Sequence, residues 1–103
     1  MDKDEAIEVS KRSREVRRLL DRHPEAAATY ARELSPEDVQ RIMREHPDYL
    51  PTMEPKALWS VHWSLPGVGV PERPMVLVYL DAGTGEIVGV KTRWLEKNGK
   101  GIV

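Results

Sequence analysis

Apolar residues in the first part of the chain recur every three or four positions, the spacing of an amphipathic helix. This stripe predicts one long helix, whose inward positions are Ala6, Val9, Ser13, Val16, Leu19 and Leu20. Acidic residues come in its first turns and arginines in its later ones, an order that suits the helix macrodipole. Pro24 is expected to end this helix, because proline lacks the amide proton that the helix interior needs.

The next segment, residues 25–34, also has helical spacing. We expect a short second helix there, begun by Pro24, because proline is tolerated in a first helical turn. Its inward face would consist of Ala27, Tyr30, Ala31 and Leu34.

A third helix is predicted from its start signal. Ser35 can cap it, Pro36 fits its first turn, and Asp38 stands where the acid of a capping box reaches back to the cap. One face continues to His46, and Pro47 ends the helix. The helical part therefore covers about residues 3–46, and the proline-containing segment 47–56 is interpreted as an ordered connector.

From residue 57 the pattern changes to period two, which is typical of β-strands. Residues 58–65 alternate, with the tryptophans on one face, while residues 75–80 are almost wholly apolar and predict a central strand. Residues 86–94 alternate again, with Val88, Val90, Thr92 and Trp94 on one face. A β-meander over about 57–94 follows, with a frayed tail at 97–103.

Together these elements predict one α+β domain over residues 1–103. The N-terminal helices are expected to pack on one face of an antiparallel sheet with three or four strands. A sheet this small needs a helical layer to complete its core.

Composition narrows the function classes. With 103 residues, 32% charged residues and a net charge of −1, the chain has no global attraction to nucleic acid or anionic membranes. It has no cysteine, which excludes disulfides and thiolate metal sites. No apolar stretch reaches the roughly 18–20 residues that span a bilayer, so no membrane insertion is expected. No signal peptide is visible, so the chain as given is expected to be cytoplasmic, or extracytoplasmic if a leader was removed.

One polar turn gathers the side chains most suggestive of a site, namely Asp81, Gly83, Thr84, Gly85 and Glu86. Two carboxylates fall far short of the roughly six to eight oxygens that calcium takes. A structural turn is the better interpretation: Asp81 bonds to amides two residues on, and Gly83 and Gly85 supply positive φ. Neither a metal nor another cofactor is predicted.

The stretch Met75-Val76-Leu77-Val78-Tyr79-Leu80-Asp81-Ala82-Gly83-Thr84-Gly85-Glu86-Ile87-Val88-Gly89-Val90 resembles the carboxy-terminal hairpin of PepSY-type domains. The preceding strand with its Trp-x-Val pattern, and Glu5-Ala6-Ile7-Glu8-Val9 at the start of the first helix, are also similar to that family. The likeness is good over 57–93, loose over 5–22 and absent over 23–56.

The resemblance implies a cystatin-like fold without catalysis. PepSY domains occur in propeptides of thermolysin-like metallopeptidases and as separate extracytoplasmic modules. The expected function is therefore a non-catalytic binding or regulatory module that modulates a peptidase through protein contacts. This chain departs from the family in its extra helical region at 24–46 and in lacking an export signal.

An arginine-rich stretch of the first helix supports an alternative. Lys11, Arg14, Arg18 and Arg22 share one side of the predicted helix and could contact the phosphates of a nucleic acid or another polyanion. A solvated helix face is the preferred interpretation, because no aromatic interleaving or nucleic-acid motif accompanies these residues and acidic residues lie on the same helix.

The remaining candidates have structural interpretations. His23 and His46 each precede a proline at a helix end, His62 lies opposite the tryptophans, and none has metal-ligand spacing. Trp59, Trp63 and Trp94 are predicted core residues, with a partner-binding groove as the open alternative. Partner identity and oligomeric state stay open.

Overall fold

The computed structural model describes residues 1–66 and 74–93. Its elements in chain order are α1 (Lys3–Ser10), α2 (Arg14–Arg22), β1 (Ala27–Leu34), α3 (Pro36–Glu45), β2 (Leu58–Ser64), β3 (Met75–Asp81) and β4 (Ile87–Arg93). The strands form one antiparallel sheet in the order β1-β2-β3-β4. The predicted α+β class is confirmed, with four strands and helices packed against the sheet.

The single long first helix was a wrong prediction, because α1 and α2 are separated at residues 11–13. Two serine hydroxyls explain the break. Ser10 donates to the carbonyl of Ile7 at 2.7 Å, and the Ser13 side chain accepts from the amides of Glu15 and Val16 as the N-cap of α2. Serine hydroxyls that bond nearby backbone groups compete with the continuous helix ladder. The predicted stop before Pro24 is confirmed, since α2 ends at Arg22.

The helix predicted over 25–34 is also wrong, because this segment is the edge strand β1. It pairs antiparallel with β2 from Leu34↔Leu58 to Ala27↔Ser64, with a bulge at Thr29. The alanine-rich composition favours a helix, but propensity is a weak prior that tertiary pairing overrides. Tyr30, expected on an inward face, is 53% exposed.

The third helix starts as predicted. The Ser35 hydroxyl accepts from the amide of Asp38 at 3.1 Å, and the Asp38 carboxylate accepts from the amide of Ser35 at 3.2 Å. This capping box, with Pro36 in the first turn, fixes the helix start, and α3 ends at Glu45, just ahead of Pro47.

Helices α1 and α2 cover one face of the sheet and form the first core cluster. Alternate residues of β2 and β3 point into it, because successive strand side chains face opposite sides. Its buried members are Ala6, Val16, Leu19, Ala26, Trp59, Val61, Trp63, Val76, Val78 and Leu80. This is the helical layer that the sequence predicted.

The second core cluster lies on the opposite face. Its buried members are Leu34, Val39, Leu50, Leu58 and Tyr79. Val39 comes from α3 and Leu50 from the connector 47–56, so these two elements cover the face that α1 and α2 leave open. α1 and α2 thus lie on one face of the sheet as predicted, whereas α3 lies on the opposite face.

The predicted β3–β4 hairpin is confirmed as an antiparallel pair. A register shift places Tyr79 opposite Gly89 but Leu80 opposite Ile87. Because of this irregularity Ile87 and Val90 pack against the first cluster while Val88 packs against the second. The predicted common face for Val88 and Val90 is therefore wrong.

Candidate functional site

The polar turn between β3 and β4 is built around Asp81. Its Oδ1 accepts from the amides of Gly83 at 2.8 Å and Thr84 at 3.0 Å. The amide of Gly85 donates to the Asp81 carbonyl at 2.8 Å, and the φ of Gly85 is +78°. Gly85 is the only described glycine with positive φ, so the same expectation for Gly83 was wrong. The geometry is that of a side-chain-stabilised turn.

The second oxygen of Asp81 has a partner that sequence reasoning missed. Lys56, at the end of the connector, places its Nζ 2.7 Å from Asp81 Oδ2. Donation from Lys56, followed by the amides of Thr84 and Gly83, lowers the pKa of Asp81 to about 2. The same bond raises the pKa of Lys56. Both carboxylate oxygens therefore have structural partners, and the carboxylate is ionised at neutral pH.

An open depression of about 270 Å³ lies beside this ion pair. Its lining residues are Met53, Glu54, Pro55 and Lys56. The Lys56 ammonium is already held by Asp81, which leaves Glu54 as the other charged group at the depression. Over the described ranges, no three or more histidine and acidic side chains lie close enough together to hold a metal ion.

The predicted polyanion-binding residues differ in whether an acidic side chain pairs with them. Lys11 is paired with Glu8 at 2.9 Å, whereas Arg14 and Arg18 have no acidic partner within 4 Å among the described residues. Arg22, at the end of α2, is exposed. Two further exposed arginines of the same basic stretch, Arg12 and Arg17, were not among the predicted binding residues, because that set contained one helical side only.

Four arginines without an acidic partner within 4 Å in the described ranges lie around the start of α2. Arg14, Arg17 and Arg18 fall on the side of α2 away from the buried Val16 and Leu19, given about 100° of rotation per residue. With Arg12 just before the helix they form a basic surface, which we call the α2 arginine surface.

Two of the three tryptophans that were candidates for partner binding lie in the core. Trp59 is 8% exposed and Trp63 is 4% exposed. Trp63 Nε1 donates to Ser10 Oγ at 2.8 Å, which ties the end of α1 to β2. Trp59 Nε1 is buried and has no hydrogen-bond partner in the described part of the chain. Trp94 lies outside the described residues. The core interpretation holds for the two tryptophans that the structure describes.

The three histidines occupy separate places. His23 caps the end of α2 and lies 3.8 Å from a Glu25 carboxylate oxygen. His46 stacks on the Tyr49 ring at 4.7 Å between centroids. His62 is half-buried on the β2 face opposite the tryptophans, across from Tyr30. They do not converge on one site.

The connector is fastened to β4 by a second polar contact. Lys91 Nζ lies 2.7 Å from Asp48 Oδ2 and 5.8 Å from the centroid of the Tyr49 ring. Hydrogen bonding from Lys91 lowers the pKa of Asp48. Beneath the connector, burial and then the nearby Tyr49 raise the pKa of Tyr79 to about 12, so its phenol is protonated at neutral pH. These groups hold the connector in place.

The exposed edge of β1 is a feature that the sequence did not predict. The side chain of Thr29, at the bulge, is 3.1 Å from the Ser64 hydroxyl and 3.3 Å from the His62 carbonyl. Tyr30 follows it and is the only tyrosine or tryptophan in the described ranges whose exposure exceeds about a third. Because a helix was predicted for these residues, no strand edge with unpaired amide and carbonyl groups was expected here.

No protein-family model, curated protein or solved structure matches this chain. In the described part of the chain, none of the helices has the length and apolar character needed to cross a bilayer.

Proposed function

We propose that this chain is a non-catalytic binding or regulatory module, similar to PepSY domains, that modulates a peptidase through protein contacts. The observation that carries the proposal is that the side chains most suggestive of a catalytic site are bound within the fold. The Asp81 carboxylate is held by Lys56 and by turn amides, and the Ser10 hydroxyl lies between Trp63 and a helix carbonyl.

The arrangement of the β-hairpin supports the same proposal. PepSY resemblance is strongest over residues 75–90, and this stretch pairs as β3 and β4 around the Asp81 turn. The helical layer of α1 and α2 on the sheet agrees with the helix-on-sheet architecture that the resemblance implies. Peptidase binding is the proposed role because the resemblance points to propeptides.

A cleavage assay tests this function. Adding the chain in increasing amounts to several thermolysin-like metallopeptidases should slow cleavage of a short fluorogenic peptide in at least one of them. Mass spectrometry of the added chain serves as the control, because a mere competing substrate would be degraded while an inhibitor stays intact. Unchanged cleavage rates with every enzyme, or inhibition seen only while the chain is being digested, would count against the proposal.

The α2 arginine surface favours a second candidate, the binding of nucleic acid. Arg12, Arg14, Arg17 and Arg18 have no acidic partner within 4 Å in the described ranges. Arg14 also lies in the first turn of α2, where the helix macrodipole disfavours a cation. In the described ranges neither ion pairing nor helix stability favours this placement, which supports contact with phosphates over a merely solvated helix face.

Fluorescence anisotropy with a labelled oligonucleotide of about 20 nucleotides tests the second candidate. Binding at about 50 mM salt should weaken steeply as salt is raised, because phosphate contacts release counterions. The double variant Arg14→Glu with Arg18→Glu should abolish binding. Arg41→Glu with Arg44→Glu on α3 changes the net charge equally and should retain it. Absence of binding at low salt, or equal loss in both variants, removes the nucleic-acid candidate.

A further inference from the structure

The outer edge of β1 offers backbone groups for pairing. β1 has β2 on one side, and in the described part of the chain no strand pairs with its other side. It is eight residues long and contains no proline. An edge strand of this kind presents unpaired amide and carbonyl groups and is a template for another strand.

The bulge limits where a new strand can pair. Regular register with β2 runs from Leu34 back to Tyr30 and shifts at Thr29. In this regular part Tyr30 and Arg32 point to the face of Leu58, while Ala31 and Glu33 point to the other face. Tyr30, 53% exposed, and the exposed Arg32 therefore stand side by side on one face of the edge.

These side chains are complementary to a second copy of themselves. In a symmetric antiparallel pair, a two-fold axis perpendicular to the sheet relates the two strands. Opposed side chains lie on the same face of the joined sheet only if one residue is opposite its own copy. The axis therefore lies at a residue position and not between two residues. An axis at Arg32 or Glu33 would set like charges directly opposite each other, which is destabilising. An axis at Ala31 instead sets Tyr30 of each copy opposite Arg32 of the other, which permits two cation–π contacts.

We propose that two copies of this chain associate by antiparallel pairing of β1 with β1 about an axis at Ala31, which joins their sheets into one of eight strands. Because the contact involves only a short strand segment, it is expected to bury less than the roughly 1,200 Å² typical of stable interfaces. A weak dimer is expected, with a dissociation constant on the order of 10⁻⁵ to 10⁻⁴ M.

Cysteine cross-linking tests the pairing and its register, since the chain has no native cysteine. Directly opposed residues in an antiparallel pair have Cβ atoms about 4.5–5.5 Å apart, close enough for a disulfide after slight adjustment. The Ala31→Cys variant should therefore form a disulfide-linked dimer under mild oxidation. The matched Glu33→Cys variant should not, because an axis at Ala31 separates the two copies of residue 33 by four positions along the strands. Equal cross-linking of both variants, or of neither, overturns the proposal.

Sedimentation equilibrium measures the association without a cross-link. The unmodified chain should show a concentration-dependent rise in mass between about 10 µM and 1 mM. Arg32→Glu should weaken the dimer at least tenfold by removing both contacts with Tyr30. Arg44→Glu, the same charge change on α3, should leave it unchanged. A chain that stays monomeric at about 1 mM, or equal weakening by both variants, contradicts pairing through β1.

Discussion

At the residue scale, Asp81 shows how one side chain performs two structural tasks. One oxygen receives the turn amides of Gly83 and Thr84, and the other receives the Lys56 ammonium. The first task was predictable from sequence, because its partners are two and three residues away. The second was not, because only the folded connector brings Lys56 to the turn.

The low pKa of Asp81 makes stability depend on pH in a defined window. Its folded-state pKa of about 2 lies below the value of about 3.9 for an unfolded chain, so the ionised form favours the folded state. This contribution is fully present above about pH 4 and is lost as pH falls toward about 2. Asp81→Asn should therefore reduce stability at pH 7 and make the acid decline between pH 4 and 2 shallower.

Urea unfolding at a series of pH values between 2 and 7 measures this effect. Asp21→Asn is a suitable control, since Asp21 is exposed and makes no ion pair within the described residues. The control should keep the acid decline of the unmodified chain. A pH profile for Asp81→Asn that parallels the unmodified chain would show that the ion pair with Lys56 contributes nothing.

At the element scale, features set by neighbouring residues could be predicted from the sequence, whereas the pairing of distant strands could not. The α3 start follows from residues within one turn, Ser35 to Asp38, and the sequence predicted it. β1 is a strand because it pairs with β2, some thirty residues further along the chain, and nothing within its alanine-rich sequence indicates this. For the same reason the sequence did not indicate the β1 edge or Tyr30 as a candidate site. The basic stretch around Arg14 was evident, because the charge of each residue does not depend on the fold.

The connector packs closely against β4 at a glycine. A Cβ at Gly89 would lie 3.1 Å from Leu50 Cδ2, 3.3 Å from Pro51 Cδ and 3.6 Å from the Tyr49 carbonyl oxygen. We expect Gly89→Ala to destabilise the fold by about 1–3 kcal/mol, the usual cost of overpacking. Thermal or urea unfolding measures the loss.

A double-mutant cycle assigns that loss to the close contact. In a Leu50→Ala background the nearest atom is gone, so adding Gly89→Ala should cost less than in the unmodified chain. Additive costs would place the effect of the alanine elsewhere, for example in the backbone of β4 rather than in its contact with the connector.

At the scale of the whole molecule, the sheet connects two cores. β2 supplies Val61 to the cluster under α1 and α2 and Leu58 to the cluster under α3, and β3 likewise supplies Val78 and Tyr79. Neither cluster can lose its packing without disturbing strands on which the other depends. The α+β class followed from the order of helical and strand patterns, but the division of the helices between two faces depended on where α3 packs.

This shared sheet predicts one cooperative unfolding transition. Leu19 in α2 and Leu34 in β1 are both fully buried, one in each cluster. Leu19→Ala and Leu34→Ala should each lower the free energy of unfolding by about 2–5 kcal/mol, as buried leucine truncations do. In both variants the indole signal of Trp63 on one face and the ring signals of Tyr79 on the other should disappear at the same denaturant concentration in NMR spectra. If Leu34→Ala instead melts the Tyr79 side while Trp63 keeps its native signal, the two clusters are separate units and the shared strands do not couple them.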